Sequence, residues 1–593
     1  MVRVRKFGSI ILVWVSMCCL FEQAKAQNVP IFLDGRFDDW FNISSEYTDP
    51  IGDTNGAFGL DLLNFSMTNN KDYLFIRLQL NQNIKLIENN DLFLYLDTDD
   101  NSQTGKTING IGAEIGIDFG NRLLYMYPAN SLFTYNFDRI DFRSLPTVSG
   151  FQHEIALSRH ALMPNNSTLV FSNSSIKALF KDESTFNGDA MPNNGSVFTY
   201  SFEENTPEAN SNINIERTQE NHLRLMTYNT LQNGLTDGSR AGAFRRTIQA
   251  VQPDIITFNE CWDVTATYAK NFMDNILSLP NGSGWHTVKL DDGNITASRY
   301  PILKSWEILD GNRLTASLIQ LPRTIFPKDV LVVNAHFKCC GDGDARRQVE
   351  ADAFAAFIAD AKTVGGRIDL PENTPFVLAG DLNLVGSSQP LTTLLTGDIV
   401  NNFVFGEDAT LDWDDSDLED VISPQTGDYM AFTWLGEDSS FPAGRLDFMI
   451  HSNSVMEVKK AYTLNTTLMP LQDLDYYNLN ANDTKTASDH LPKITDFEMT
   501  MTTDIASKIT PLQLTIQPNP FEDVLQIHYQ IEGTKNLQWQ LFNTTGQTVW
   551  QTTTNDSTGD LKLSEVMTVS GVYLLKVNNL EGNGHQVWRL LKM

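Results

Sequence analysis

Short alternations of apolar and polar positions, each closed by Asn, Asp or Gly, fill the chain between residues 27 and 202. "DYLFIRLQL" and "DLFLYLDTD" are two of them. A period of two broken by turn residues predicts strands, and a series of such runs predicts an all-β sandwich. From 223 to 500 strand-like and helix-like stretches alternate, which predicts a layered α/β domain. The last block, 512 to 593, returns to strands and turns in "LTIQPNPFEDVLQIHYQ", "LFNTTGQTVW" and "SGVYLLKV". It predicts a small β-sandwich, with Pro518 and Pro520 at the mouth of its first strand. Polar joints at 203–222 and 501–511 read as linkers.

Inside the middle block the apolar runs end in a consistent way. "LRLMTYNTL" ends its alternation at Asn229, "DIITFNE" at Glu260, "VLVVNAHF" at His336, and "PFVLAGDLN" at Asp381 and Asn383. "GRLDFMI" places Asp447 at a strand start, and "SDHLP" supplies Asp489 and His490 from a segment that Pro492 keeps irregular. Between these runs, "DGSRAGAFRRTIQAVQ" and "DGDARRQVEADAFAAFIADA" carry apolar residues at helical spacing. Functional groups of α/β domains gather at strand ends and in the loops beyond them. Carboxylates, amides and imidazoles at every one of these ends are the side chains that bind hard cations and move protons.

Length changes the picture next. A chain of 593 residues exceeds one core and predicts about three or four domains. Residues 1–26, with basic residues, then an apolar run from Ile10 to Phe21, then Ala24-Lys25-Ala26, have the layout of a cleavable secretory signal. No later run is long and apolar enough to span a bilayer as a helix. The net charge of −30 disfavours broad attraction to nucleic acid or anionic lipid, but not a locally basic cleft or a site neutralised by divalent cations. Cys261, Cys339 and Cys340 remain after the leader, an odd number that excludes a disulfide-stapled scaffold. In the first block "DTDDNSQTG" offers oxygen donors at Asp97, Asp99 and Asn101, which suit Ca²⁺ and equally suit an acidic turn.

Three resemblances follow from these residues. "TYN", "FNE", "NAHF", "GDLN", "RLDF" and "SDHLP" resemble, in order and spacing, the signatures of the endonuclease/exonuclease/phosphatase superfamily, over about residues 223–498. The last block resembles the C-terminal sorting domain of the Bacteroidetes type IX secretion system. "LDGRFDDW" followed by "YLDTDDNSQTG" resembles, loosely, family-nine-like carbohydrate-binding modules, which would make polysaccharide a partner.

The first resemblance implies two packed mixed sheets between helices, a four-layer α/β sandwich, and metal-assisted hydrolysis of a phosphate ester. It implies Mg²⁺ or Mn²⁺ on Glu260, with Asn229 and Asp489 nearby. Asp381 would position or activate water, Asn383 would donate to the phosphate, and His490, oriented by Asp447, would bond the phosphoryl oxygens. His336 would stabilise charge from the other side. A disulfide from Cys261 to Cys339 or Cys340, or a vicinal one, is implied by their places after strand ends. The sorting resemblance implies a product secreted or held at the cell surface through that machinery.

Substrate is expected to be a phosphodiester, nucleic acid first, with Arg245, Arg246, Arg299, Arg313, Lys338, Arg346, Arg347 and Arg445 as candidate phosphate contacts. A phosphomonoester or small or lipid diester comes second; the acidic "FGEDATLDWDDSDLEDVISPQTGDYM" suits anionic lipid poorly. A surface glycan-binding protein with an inactive middle domain is the reading from another class.

Overall fold

The computed structural model describes residues 30–500, apart from 55–58, 129–130, 185–187, 207–211 and 437–438, and the strands with some joining residues between 513 and 592. The expected signal (1–26) and the joint at 501–511 lie outside the described residues. Residues up to Thr500 form one compact unit and the remainder a second.

The first block is built from two antiparallel sheets. One runs in the order Glu46–Thr48, Leu62–Asn69, Tyr73–Ile84, Gly150–Ser158, Arg143–Leu145; the other centres on Ser175–Asp182, Leu92–Asp97 and Ile115–Asp118. Alternation sends Leu74, Ile76, Leu78 and Leu80 into the core between the sheets, where they meet Leu94, Leu96, Ile115, Ile117 and Phe180. Phe75, on the opposite face of the same strand, is also buried. It lies in a second cluster with Ile31, Leu33, Trp40 and Leu145, completed by Met430, Ala431 and Phe432 of the middle block. Removal of apolar surface on both faces ties the sandwich to its neighbour.

That neighbour contains two six-stranded sheets. The first has the order His286–Val288, Ile295–Ser298, Ile255–Asn259, Leu223–Asn229, Lys493–Met499, Met456–Thr463; the second Ile302–Glu307, Leu314–Ile319, Val330–His336, Phe376–Asp381, Asp447–His451, Glu419–Asp420. Leu223, Leu225, Ile255 and Phe497 of one sheet share a core with Val330, Val332, Val377 and Met449 of the other. The outer face of the first sheet packs on helices Ala241–Val251 and Ala266–Ile276, through Phe244, Ile248, Phe272 and Met273. The outer face of the second packs on Asp344–Ala361, through Phe354, Phe357 and Ile358. Leu223–Asn229 runs parallel to Ile255–Asn259, and Val330–His336 parallel to Phe376–Asp381. Asn229 and Glu260 therefore emerge together, and His336 pairs with Asp381.

The expected linker at 203–222 needs correction over its second half. Ile215 is buried among the helices of the first sheet, Lys460 donates to the Asn214 carbonyl at 3.0 Å, and Tyr477 Oη donates to Asn214 Oδ1 at 3.1 Å. Its polar composition reflects backbone satisfied by side chains of the domain, not a free tether.

The second unit has a three-stranded sheet (Gln513–Gln517, Gln526–Gln530, Thr558–Lys562) and a four-stranded one (Thr548–Thr554, Leu537–Phe542, Gly571–Asn579, His585–Lys592). Ile527, Tyr529, Trp539, Leu541, Leu575 and Leu590 fill the space between them.

Candidate active site

Every strand end singled out in the middle block reaches one region. Glu260, His336, Asp381, Asn383 and His490 line a single cavity of about 520 Å³. Asn229 lies in its floor, donating from Nδ2 to Asp381 Oδ2 at 3.0 Å and to Glu260 Oε1 at 3.2 Å. Its own Oδ1 accepts from the Leu231 amide at 3.0 Å. Asn229 thus spaces two carboxylates, and its oxygen, expected near the cation, is turned to the backbone. Asp489 opens on an adjoining depression, with Oδ2 accepting from Trp434 Nε1 at 3.0 Å.

The "SDH" segment answers for its own irregularity. Ser488 ends the short helix Asp483–Ala487, and its hydroxyl accepts from the His490 amide at 3.1 Å. That turn lets neighbouring Asp489 and His490 serve one site, which a regular strand forbids. His490 Nδ1 donates to Asp447 Oδ2 at 2.8 Å, and its Nε2 lies 3.8 Å from Asp381 Oδ2. Asp447 is held in turn by its backbone N–H donating to Thr433 Oγ1 at 2.9 Å.

Electrostatics differ between the two imidazoles. Burial alone would lower the basicity of His490, but the Asp447 and Asp381 carboxylates outweigh it and push it up to about 10. His336 moves the other way, well below the usual value, through burial and the Arg313 and His490 charges. Arg313 Nε donates to His336 Nδ1 at 3.1 Å, which leaves the single proton of the neutral ring on Nε2, 3.6 Å from Asp381 Oδ2. Burial raises Asp381 to about 7; His490 opposes that shift and Asp447 adds to it. One cationic and one neutral imidazole flank a carboxylate poised near neutrality, a separation of roles typical of acid–base sites.

Sequence reasoning missed the support beneath these groups. Asn259 Oδ1 accepts from the Asp381 amide at 3.1 Å, while its Nδ2 donates to Asn294 and Asn334, each at 2.9 Å. Thr433 and Trp434 were missed as well, and Arg313, expected as a phosphate contact, bonds His336. The one available signal was an asparagine inside an otherwise apolar strand, as in "VLVVNAHF". Asn383 is in place, although Nδ2 donates to the Phe337 carbonyl at 3.3 Å.

The fit of a cation rests on the donors. Glu260 enters the site at φ 56°, a left-handed conformation that a non-glycine residue holds only when its surroundings impose it. Among the described residues its oxygens accept from Asn229 and from the Gln232 amide at 2.9 Å. Glu260 lines the cavity and Asp489 the adjoining depression, and both offer hard carboxylate oxygens of the kind a Mg²⁺-class ion takes.

Other expectations are corrected. The cysteines are free: the Cys261 sulfur is buried against Thr230, its thiol pushed up to about 12 by burial, while the Cys339 and Cys340 sulfurs lie 2.6 Å apart. Of the eight cations proposed for phosphate, only Arg313 and Lys338 line the cavity. Arg246 pairs with Asp483, Arg299 with Asp254, Arg347 with Asp344 and Arg445 with Asp420; Arg245 lies over Phe272 and Arg346 bonds Asn312. In the sandwich, Asp97 and Asp99 gather with Glu114, their carboxylates within 4.8 Å. Asn101 turns its side-chain oxygen to the Gln103 amide at 3.1 Å instead.

Residues 226–490 match the Endonuclease/Exonuclease/phosphatase family, and residues 515–588 the secretion system C-terminal sorting domain. No curated protein sequence matches. Among solved structures, ANGEL2, a 2′,3′-cyclic phosphatase, is 14% identical with a TM-score of 0.30, over 46% of this chain and 95% of that one. Truncated Caenorhabditis elegans TDP2 is 14% identical with a TM-score of 0.30, over 47% and 98%. Sphingomyelinase C from Streptomyces griseocarneus is 17% identical with a TM-score of 0.26, over 46% and 99%. None of the described helices is long and apolar enough to cross a membrane. The middle of this chain is therefore similar to the Endonuclease/Exonuclease/phosphatase family, and the block after it to secretion system C-terminal sorting domains.

Proposed function

We propose that this protein is an exported, divalent-metal-dependent phosphoesterase. The observation that carries the reading is the chain Asp447–His490–Asp381–Asn229–Glu260, in which each side chain faces the next. Glu260 and Asp489 would hold Mg²⁺ or Mn²⁺, which supplies charge to a phosphoryl oxygen and lowers the cost of the developing negative charge. Asp381, poised near neutrality, takes a proton from the attacking water as its oxygen bonds phosphorus and the ester P–O bond breaks, and the departing oxyanion takes up a proton from solvent. Cationic His490 donates from Nε2 to a phosphoryl oxygen, with Asp447 fixing the ring. Neutral His336 donates from Nε2 on the far side, where charge grows in the transition state. Asn383 bounds the phosphate position.

With two of the eight candidate cations at the cavity, support for a long nucleic-acid track is weak, and a short or small phosphoester is the favoured substrate. The sorting domain supports export by the type IX machinery. Asp97, Asp99 and Glu114 are proposed as a Ca²⁺ site in the sandwich. Polysaccharide binding finds no support. The test of the whole reading is hydrolysis of bis(p-nitrophenyl) phosphate and p-nitrophenyl phosphate by the purified chain. Activity that EDTA removes and Mg²⁺ or Mn²⁺ restores supports it; a chain inert under every metal returns it to the inactive-domain class.

A further inference from the structure

The cavity over the catalytic residues is not made by the family domain alone. Its opposite wall comes from the N-terminal sandwich: Lys85, Leu86, Ile87 and Glu88 of the loop after strand Tyr73–Ile84, and Pro146 and Thr147 after Arg143–Leu145. We infer that the sandwich is a specificity element that restricts the enzyme to phosphoesters with a compact, largely apolar leaving group; this rests on the phosphoesterase reading.

The wall is fixed in place. Lys85 Nζ pairs with Asp344 Oδ2 at 2.7 Å, and Thr147 Oγ1 donates to the Arg445 carbonyl at 3.3 Å. The Ser149 amide donates to the Gly386 carbonyl at 2.8 Å, and Arg122 lies 4.1 Å over the Phe441 ring. Leu33 pairs with Met430 at the end of the acidic insertion, and Arg143 approaches Asp428 at 4.0 Å. That insertion, too acidic for anionic lipid, is the platform on which the sandwich sits. A hydrophobic cluster runs beneath the same contact.

Size and chemistry then decide what enters. A cavity of about 520 Å³ has the volume of a small-molecule site. Its lining includes Leu86, Ile87, Pro146, Phe441 and Leu446, which favour an apolar body. Glu88 adds a carboxylate at the same wall, which repels the further phosphates of a polyanion. Arg313 and Lys338 remain for the one phosphate being cleaved.

The test separates binding from turnover. Full-length protein with Mg²⁺ is titrated calorimetrically with phenylphosphonate and with methylphosphonate, and kcat/KM is measured for bis(p-nitrophenyl) phosphate and a 20-base-pair DNA duplex. The expected result is phenylphosphonate bound about tenfold more tightly than methylphosphonate, with that preference lost in Ile87→Ser and in Phe441→Ala while methylphosphonate affinity stays unchanged. The two variants lie on opposite sides of the contact, so misfolding of one leaves the other to decide. Equal binding of the two phosphonates, an unchanged preference in both variants, or duplex cleaved as efficiently as the aryl ester overturns the inference. Intact phenylphosphonate preference without turnover of either ester supports the wall and counts against the phosphoesterase reading instead.

Discussion

His490 Nδ1 donates to Asp447 Oδ2 across 2.8 Å, joining the loop after the last short helix to the strand Asp447–His451 of the other sheet. The pair fixes the imidazole so that Nε2 faces Asp381. Removing either member removes the same function. His490→Ala is expected to lower kcat by about 10³-fold, within the range for a positioned proton donor. Asp447→Ala should cost somewhat less, and the double variant scarcely more than His490→Ala. Additive losses in kcat would separate the two residues.

Glu260 and Asp489 are expected to behave as cation ligands. Glu260→Gln should reduce activity on the order of 10³-fold and weaken Mg²⁺ binding in calorimetry, with the far-ultraviolet circular dichroism unchanged. The defect of Asp489→Asn should ease at high Mg²⁺ or with Mn²⁺, and Trp434→Phe, which deletes the N–H donated to Asp489, should raise the Mg²⁺ requirement several-fold. The His490→Ala defect should not respond to metal.

Asp381 sets a pH dependence with a definite sign. Its carboxyl is raised from 3.8 to about 7, so the folded chain keeps a proton that the unfolded chain has lost between those values. In metal-free protein this group makes stability fall as pH rises from 3.8 to about 7, and Asp381→Asn should flatten that slope in urea titrations across the window. Activity should rise along an acid limb whose midpoint bound Mg²⁺ moves below 7, and the Asn variant should lack it. A slope unchanged in the variant would assign it to other groups.

Glu114 joins Asp97 and Asp99 with one oxygen, Oε1, buried and unpartnered. If these carboxylates hold Ca²⁺, millimolar Ca²⁺ should raise the melting temperature of the full chain by a few degrees through mass action. Glu114→Gln should abolish that rise without changing hydrolysis of bis(p-nitrophenyl) phosphate.

Export is testable in the host. A chain truncated before Leu512 should remain folded and active inside the cell envelope, while the full chain is found outside or at the surface. Normal external levels of the truncated chain would remove the sorting role.

By itself the sequence determined which side chains stand at strand ends. Each of these largely apolar strands closes on a polar side chain at its C-terminal edge, as at Asn229, Glu260 and Asp381, where the chain turns into the loops that surround the cavity. It also determined the strand-and-turn character of the first block, through simple alternation. What tertiary structure alone decided were relations between distant segments. The eight candidate arginines and lysines look alike in one dimension, and partners such as Asp483, Asp254 and Asp420 consume most of them. Asn101 lost its place to Glu114 because a side chain thirteen positions on is brought back by strand pairing, with Leu96 opposite Ile115. The docking of the sandwich left only one faint trace: the unbroken run Leu74-Phe75-Ile76, apolar on both faces of a strand that alternation alone would leave half solvated. Burial of the second face needs a partner surface, and local periodicity carries no information about which surface that is.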